Sequence, residues 1–161
     1  EYTHIVNGQD PLSVSNNTFG VNDDEKDLND IVFNCADVKA FRWDADQNKW
    51  RGRGTGRICI NKELNGVGKI LFYDENNQCL RLHQYITIKD KCQFTPNNDT
   101  SNMNSIEWFN TDYAIHGQSL YSKWKIVFID NIDMAKTFHF IFNTFVDQYI
   151  TNQYNSNNNT S

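Results

Sequence analysis

Apolar and polar side chains alternate through much of the chain between residues 31 and 129, as they do in half-buried β-strands. The alternation is clearest after Gly56, where Ile58 and Ile60 are interleaved with Arg57, Cys59 and Asn61. Successive side chains of a strand point to opposite faces, so the isoleucines are predicted to face the interior and Arg57 the solvent.

This patterning predicts seven antiparallel strands, separated by turn-forming residues such as Asn65-Gly66. The predicted strands occupy residues 31–44, 50–62, 69–74, 79–86, part of 86–96, 106–114 and 123–129.

The last element has a different period. Its apolar residues recur at spacings of three and four, which predicts one face of a helix of about four turns. They are Met134, Phe138, Ile141, Phe142, Phe145 and Tyr149. Asp133 is the predicted N-cap. Periodicity therefore predicts an α+β domain with a capping helix. A seven-stranded antiparallel sandwich or partly open barrel capped by a C-terminal amphipathic helix resembles the pleckstrin-homology (PH) type of architecture, which is the expected fold.

Composition divides the chain into three parts. Residues 1–30 carry seven acids against one lysine and are expected to be flexible. Residues 31–150 form the predicted domain, and the Asn-rich residues 151–161 a disordered tail. Because the sequence starts at Glu1 rather than Met, we expect a fragment of a longer protein.

Charge and cysteine usage restrict the function. The net charge is −5 and the sequence pI about 5.2, which disfavours nucleic-acid binding. No apolar run or signal pattern indicates a membrane protein, and the four cysteines show no zinc spacing and are expected to be free thiols. No nucleophile–base pattern stands out, so we expect no enzyme activity, no cofactor and no metal.

One segment is strongly basic. Residues 39–69 hold eight basic side chains against three acids. Within "KWRGRGTGRICI" (49–60), Arg51, Arg53 and Arg57 are predicted to alternate along an edge and to offer guanidinium groups to carboxylates, with Trp50 beside them. Glycines in this stretch would allow close backbone approach. They open a strand rather than a helix, which favours protein docking over phosphate binding.

Several segments together resemble one family. "FRWDADQNKWRGRGTGRICI" resembles the signature hairpin of Ran-binding domains, and "LRLHQYI", "EWFNTDYA" and "KWKIVFID…DMAKTFHFIFNTF" are similar to its later strands and final helix. The resemblance extends from about Ile31 to Tyr149.

The resemblance implies a non-enzymatic module of nuclear transport that binds the GTP form of the small GTPase Ran and embraces its acidic C-terminal tail. It implies a location in the nucleus or at the nuclear pore, and a cytoplasmic location is left open. Whether a transport receptor joins the same complex is also left open. Asp23–Asp30 would reach a basic patch on the GTPase. The candidate contact residues are Lys39, Arg42, Lys49, Trp50, Arg51, Arg53, Gly54, Arg57, Arg81 and His83.

The chain departs from the family pattern at Gly52, Tyr73, Asp74 and Leu82. Fewer positive charges on the third strand should weaken electrostatic steering of an acidic tail. We expect Arg53→Glu to abolish binding while leaving the fold intact.

Two other functions fit the same fold. A scaffold module that holds a peptide, in the manner of EVH1 domains, would rely on aromatic contacts and show little salt dependence. Phosphoinositide binding through the basic hairpin is the second alternative.

Overall fold

The computed structural model of the chain describes Asp10, residues 30–96 and residues 104–159. Within these residues, seven strands form one antiparallel sheet in the order β4-β3-β2-β1-β7-β6-β5. Their bounds are β1 Asp30–Asp44, β2 Lys49–Lys62, β3 Gly68–Asp74, β4 Leu80–Tyr85, β5 Gln93–Phe94, β6 Ser105–Asp112 and β7 Leu120–Phe128. A single helix, α1, follows at Ile132–Asn159 in the described part of the chain. The predicted α+β class and strand count are confirmed.

The sheet bends far enough for β4 to approach β6. The Tyr113 N–H donates to the His83 carbonyl at 2.8 Å, and the Asn110 side-chain amide donates to the Tyr85 carbonyl at 3.0 Å. These bonds are few, so the sheet is only partly closed, as expected for a PH-like fold.

The apolar core lies between the concave face of the sheet and α1. Phe138, Phe142 and Val146 of the helix have no exposed surface. Phe138 makes edge or tilted ring contacts with Phe33 of β1 and Phe128 of β7, near the start of β1 and the end of β7. The helix therefore covers that end of the sheet, as its apolar spacing predicted.

Both ends of α1 differ from expectation. The side-chain oxygen of Asn131 accepts the Met134 N–H at 3.2 Å, so Asn131 is the N-cap and the assignment of Asp133 was wrong. The C-terminal residues expected to be disordered from 151 are helical to Asn159, and their side chains are exposed to Asn158. Adding residues to an existing helix avoids the cost of nucleation, so a polar sequence can extend it without packing.

The N-terminal acidic region 1–30 is described only at Asp10 and Asp30. Its expected flexibility, and the role given to Asp23–Asp30, concern residues outside the described ones.

Candidate partner-binding surface

The basic stretch of β2 does not follow simple alternation. In the pairing with β1, Ala40 lies opposite Gly54 and Phe41 opposite Gly52, so Arg53 is an extra residue in a β-bulge. A bulge re-aims the side chain that it inserts. Arg53 therefore turns into the concave side of the sheet, whereas Arg57 remains exposed on the other side.

Arg53 is fully buried. Its Nη1 donates to the Arg81 carbonyl at 2.6 Å, and its guanidinium lies over the Trp124 ring, 4.9 Å from the centroid. It also pairs with Asp10 at 3.3 Å and Asp112 at 3.8 Å. Burial lowers the pKa of the Arg53 guanidinium, and the two carboxylates oppose that shift.

Arg42 lies beside Arg53 and holds the same carboxylate. Its Nε and Nη2 donate to the two oxygens of Asp10 at 2.6 and 2.8 Å, a bidentate pair. Burial lowers the pKa of Arg42, but the hydrogen bond and charge of Asp10 outweigh it and leave that pKa above its ordinary value. The Asp10 N–H donates to the Gly52 carbonyl at 3.0 Å, which fixes Asp10 against β2.

Three further buried charged residues, Arg81, Asp74 and Asp112, lie near Arg42 and Arg53 on other strands. Arg81 at the start of β4 pairs with Asp74 at the end of β3, at 3.7 Å. Burial raises the pKa of the Asp112 carboxyl above its ordinary value. The charge of Arg53 and the N–H groups of His83 and Ala114 lower that pKa and so offset part of the increase. We call this group the buried arginine cluster. Its members are Arg42, Arg53, Arg81, Asp10, Asp74 and Asp112.

The expected surface roles of three arginines are thus corrected. Arg42, Arg53 and Arg81 were predicted to present guanidinium groups to a partner, but they are 7%, 0% and 5% exposed. Alternation failed here because the bulge reverses the facing of Arg53 and because acids distant in sequence pair with these side chains.

The glycines serve the chain's own packing. A Cβ on Gly54, where φ is +114°, would lie 2.7 Å from the Asp74 carboxylate, and one on Gly56 would overlap the Tyr73 carbonyl oxygen. The Glu75 N–H donates to the Thr55 carbonyl between them. These two glycines therefore allow close approach to the end of β3, and the contact of Gly54 with a partner stays a prediction.

Two of the four positions that depart from the family pattern, Asp74 and Leu82, are buried, whereas Gly52 and Tyr73 are half-buried. Asp74 is 3% exposed and paired with Arg81, so it adds little negative charge to the surface. Leu82 is in the core, and Gln84, two residues later, accepts the Trp108 indole N–H at 2.8 Å and donates to Asp112.

The convex side of the sheet carries the accessible basic groups. Lys39 and Arg57 are exposed, and Arg57 donates to the Asn34 side chain at 2.6 Å. Lys49 and Arg51 are half-buried on the opposite side of the hairpin, because they lie directly across from Asp44 and from the buried Arg42, and Arg51 forms an ion pair with Asp44 at 2.9 Å.

Aromatic rings lie among these basic groups. Trp50 packs edge-on against Trp43 at 5.2 Å, and the Lys125 ammonium lies 4.3 Å from the Trp50 ring centroid and 5.1 Å from that of Phe41. Burial lowers the pKa of Lys125 to about 8, although Glu107 opposes the shift. We call this surface the outer face. Its members are Lys39, Phe41, Trp43, Trp50, Arg57 and Lys125.

His83 lies apart from the outer face, on β4. It is half-buried, and its Nε2 lies 3.1 Å from the Tyr85 hydroxyl. Among the described residues, no group of three or more His, Cys, Asp or Glu side chains is placed to hold a metal ion. None of the described helices is long and apolar enough to span a membrane.

Sequence reasoning singled out none of three charged members of the two groups: Asp10, Asp112 and Lys125. Asp10 had one available signal, because a residue before proline is restricted to extended backbone and Pro11 follows it. Nothing local marks Asp112 or Lys125, since their partners are on other strands.

A model of the RanBP1 domain matches residues 21–155 of the 161-residue chain. The chain belongs to the RanBP1 domain family. This RanBP1 domain thus has the fold and the signature hairpin that its sequence resembled, in a family of binding modules rather than enzymes.

Two solved structures similar to this RanBP1 domain are Ran-binding domains of the nuclear pore component Nup2 from Ashbya gossypii. The first is 16% identical with a TM-score of 0.56, over 74% of this chain and 97% of the other. The second is 16% identical with a TM-score of 0.52, over 73% and 97%. At this identity the likeness is one of fold. Comparison with curated protein sequences finds no match.

Proposed function

We propose that this RanBP1 domain is a non-enzymatic module that binds a Ran-type GTPase in its GTP form during nucleocytoplasmic transport. The observation that carries the proposal is the family match over residues 21–155, which includes the hairpin of β1 and β2. The proposed location is the nucleus and the nuclear pore complex, and the proposal extends to the cytoplasm. It also includes a transport receptor that joins the same complex.

The proposed contact surface is the outer face. Lys39 and Arg57 supply exposed positive charge, and Trp50 supplies a half-buried aromatic surface beside them. Aromatic and arginine side chains are enriched among the residues that dominate binding energies. Lys49 and Arg51 on the other side of the hairpin, and His83 on β4, remain candidate contacts outside this face.

Binding that depends on exposed charge should be sensitive to salt. Ions screen interactions between solvent-exposed groups over about 10 Å at roughly 0.1 M ionic strength. The overall charge of −5 makes this basic surface a local exception, and an acidic partner surface would be steered toward it.

Titration calorimetry against Ran loaded with a non-hydrolysable GTP analogue, and separately with GDP, tests the proposal. We expect tight binding to the GTP form alone, weaker at higher salt. Lys39→Glu should weaken it, whereas the matched charge change Lys91→Glu should not, because Lys91 is exposed beside Asp147 on the helix. Absence of binding to both nucleotide forms would reject the proposal.

A second candidate is peptide binding in the manner of EVH1 domains, favoured by the half-buried Trp43–Trp50 pair on the outer face. Contact of this kind is mainly apolar and is weakly screened by salt. If it is the function, Trp50→Ala abolishes peptide binding and Lys39→Glu leaves it nearly unchanged.

A further inference from the structure

We propose that Lys125 is a positioning residue of the outer face: its ammonium group sets the orientation of the Trp50 ring, and through that ring it strengthens binding of the partner protein. The second half of the proposal rests on the proposed function, whereas the first half concerns the folded chain alone.

Trp50 and Lys125 meet across a strand that lies between their own. Trp50 is on β2 and Lys125 on β7, and β1 separates these two strands in the sheet. Two steps across a sheet place backbones about 10 Å apart. The Lys125 ammonium nevertheless lies 4.3 Å from the centroid of the Trp50 ring and 5.1 Å from that of Phe41 on β1. Both side chains therefore extend over β1 to reach each other.

The Trp50 ring is held from β1 and β7 rather than from its own strand. The next residue of β2 on the same face is Gly52, opposite Phe41, and it has no side chain to pack beside the ring. Trp43 on β1 contacts the ring edge-on at 5.2 Å. The ammonium lies at the face of the ring, where the negative end of the ring quadrupole attracts a cation. This contact favours one orientation of the indole.

The ammonium depends on the rings in turn, because the carboxylate near it is shared. Burial lowers the pKa of Lys125, and the charge of Glu107, directly opposite on β6, offsets part of that shift. The same carboxylate binds the Lys123 ammonium at 2.8 Å. One carboxylate thus serves two lysines, and Lys125 is 3% exposed. The faces of Trp50 and Phe41 therefore replace part of the stabilisation that water would give the ammonium.

A lysine can also pack through its apolar stem alone, and titration distinguishes that role from the proposed one. Deprotonation removes the attraction between the ammonium and the ring but leaves the stem in place. The pKa of Lys125 is about 8, so the charged form predominates at neutral pH and the amine at higher pH. The other charged side chains on this side of the surrounding described strands are Glu107 on β6, Lys123 on β7, Lys39 on β1 and Arg57 on β2.

A fixed orientation of Trp50 should increase affinity for a partner. Ordering a side chain on association costs free energy, and a ring that is already oriented avoids that cost. Lys125 itself offers a partner almost no surface, whereas Trp50 is half-buried. Lys125 therefore acts on binding through Trp50.

Fluorine NMR of the chain labelled with fluorotryptophan tests the first half of the proposal. The four tryptophans give separate probes, and the Trp50 resonance is identified by its absence from Trp50→Phe. In the wild-type chain this resonance should move with a midpoint near pH 8, and in Lys125→Met and Lys125→Arg that midpoint should be absent. The same pH dependence in Lys125→Met as in the wild-type chain would overturn the proposal.

The variants also differ at neutral pH. Lys125→Met should shift the Trp50 resonance, whereas Lys125→Arg should keep it near its wild-type position, because a guanidinium can also lie over an indole ring. The matched control is Lys123→Met, which removes a lysine from the same strand and face. Lys123 contacts the Phe109 ring at 5.6 Å instead, so Trp50 should respond little. A shift in Lys123→Met as large as that in Lys125→Met would overturn the assignment of Lys125.

Titration calorimetry with Ran loaded with a non-hydrolysable GTP analogue tests the second half. At neutral pH, Lys125→Met should bind about fivefold more weakly than the wild-type chain, and Lys125→Arg within about twofold of it. Equal affinities of Lys125→Met and the wild-type chain, with a positive NMR result, would reject the role of Lys125 in binding. A positive NMR result without Ran binding by the wild-type chain would support the orientation of Trp50 by Lys125 and reject the proposed function.

Discussion

Arg53 and Arg57 lie four residues apart on β2, and their surroundings are opposite. Arg53 belongs to the buried arginine cluster, has no exposed surface and contacts two carboxylates and an indole ring. Arg57 belongs to the outer face, is exposed, and donates to the side-chain amide oxygen of Asn34 at 2.6 Å. A charge in the first setting is part of the fold, whereas a charge in the second is available for recognition.

The two settings also differ in how many strands contribute. The buried arginine cluster collects side chains from the ends of β1, β3 and β6 and the starts of β2 and β4, which antiparallel pairing brings to one end of the sheet. The basic groups of the outer face come from β1, β2 and β7 alone. The cluster therefore depends on the complete fold.

Charge reversal at the two arginines should give the largest contrast. Arg53→Glu places a third acid beside Asp10 and Asp112 without water, and we expect a loss of about 5 kcal/mol or more in the free energy of unfolding. Arg57→Glu should lose less than about 1 kcal/mol. Urea unfolding followed by circular dichroism measures both. If Arg53→Glu lost no more unfolding free energy than Arg57→Glu, the sequence-based expectation that Arg53→Glu leaves the fold intact would be correct.

A second comparison of a buried and an exposed residue uses two phenylalanines of α1. Phe142 is fully buried against Trp108 and Phe138, and Phe142→Ala should cost about 3–5 kcal/mol in unfolding free energy. Phe140 lies on the same helix at 71% exposed, and Phe140→Ala should stay within about 0.5 kcal/mol of wild type. Denaturant unfolding of the two variants measures both losses. Similar losses for Phe142→Ala and Phe140→Ala would mean that α1 packs through another face.

The contribution of Lys125 to the free energy of unfolding should depend on pH in the alkaline range. Its pKa is lowered to about 8 in the folded protein from an ordinary value of 10.5, chiefly by burial. Between these values the unfolded chain binds the extra proton, so the Lys125 contribution to stability increases as pH rises. Below about pH 8 both states are protonated and the slope vanishes.

The measurement compares wild type with Lys125→Met across that interval. The unfolding free energy of wild type should rise relative to the variant above about pH 8. A constant difference between the two proteins would show that Lys125 has an ordinary pKa.

Partner binding should give the smallest effect for a single residue. If the proposed function holds, Arg57→Ala should weaken binding to Ran in its GTP form by roughly fivefold, mostly through slower association. The effect should diminish at high salt because the group is exposed. Surface plasmon resonance at two salt concentrations measures it, with Lys91→Ala as control; a loss confined to the dissociation rate would contradict the steering argument.

Much of the fold followed from sequence patterns. The alternation around Ile58 and Ile60 placed those residues in the core, and the spacing of Phe138 and Phe142 identified the buried face of the helix. The contact residues were less predictable. Periodicity assumes an unbroken strand, and a single bulge at Arg53 reversed its direction.

The sequence by itself determined the order of strands and helix, the two apolar periodicities, and the family motif in the β1–β2 hairpin, because each depends on residues close together in the chain. Tertiary structure decided which basic side chains are accessible. Arg42 is buried because Asp10, 32 positions away, reaches it, and Arg81 because Asp74 lies across the strand pair. Burial of a charge depends on where its counterion comes to lie, and only the folded chain specifies that position.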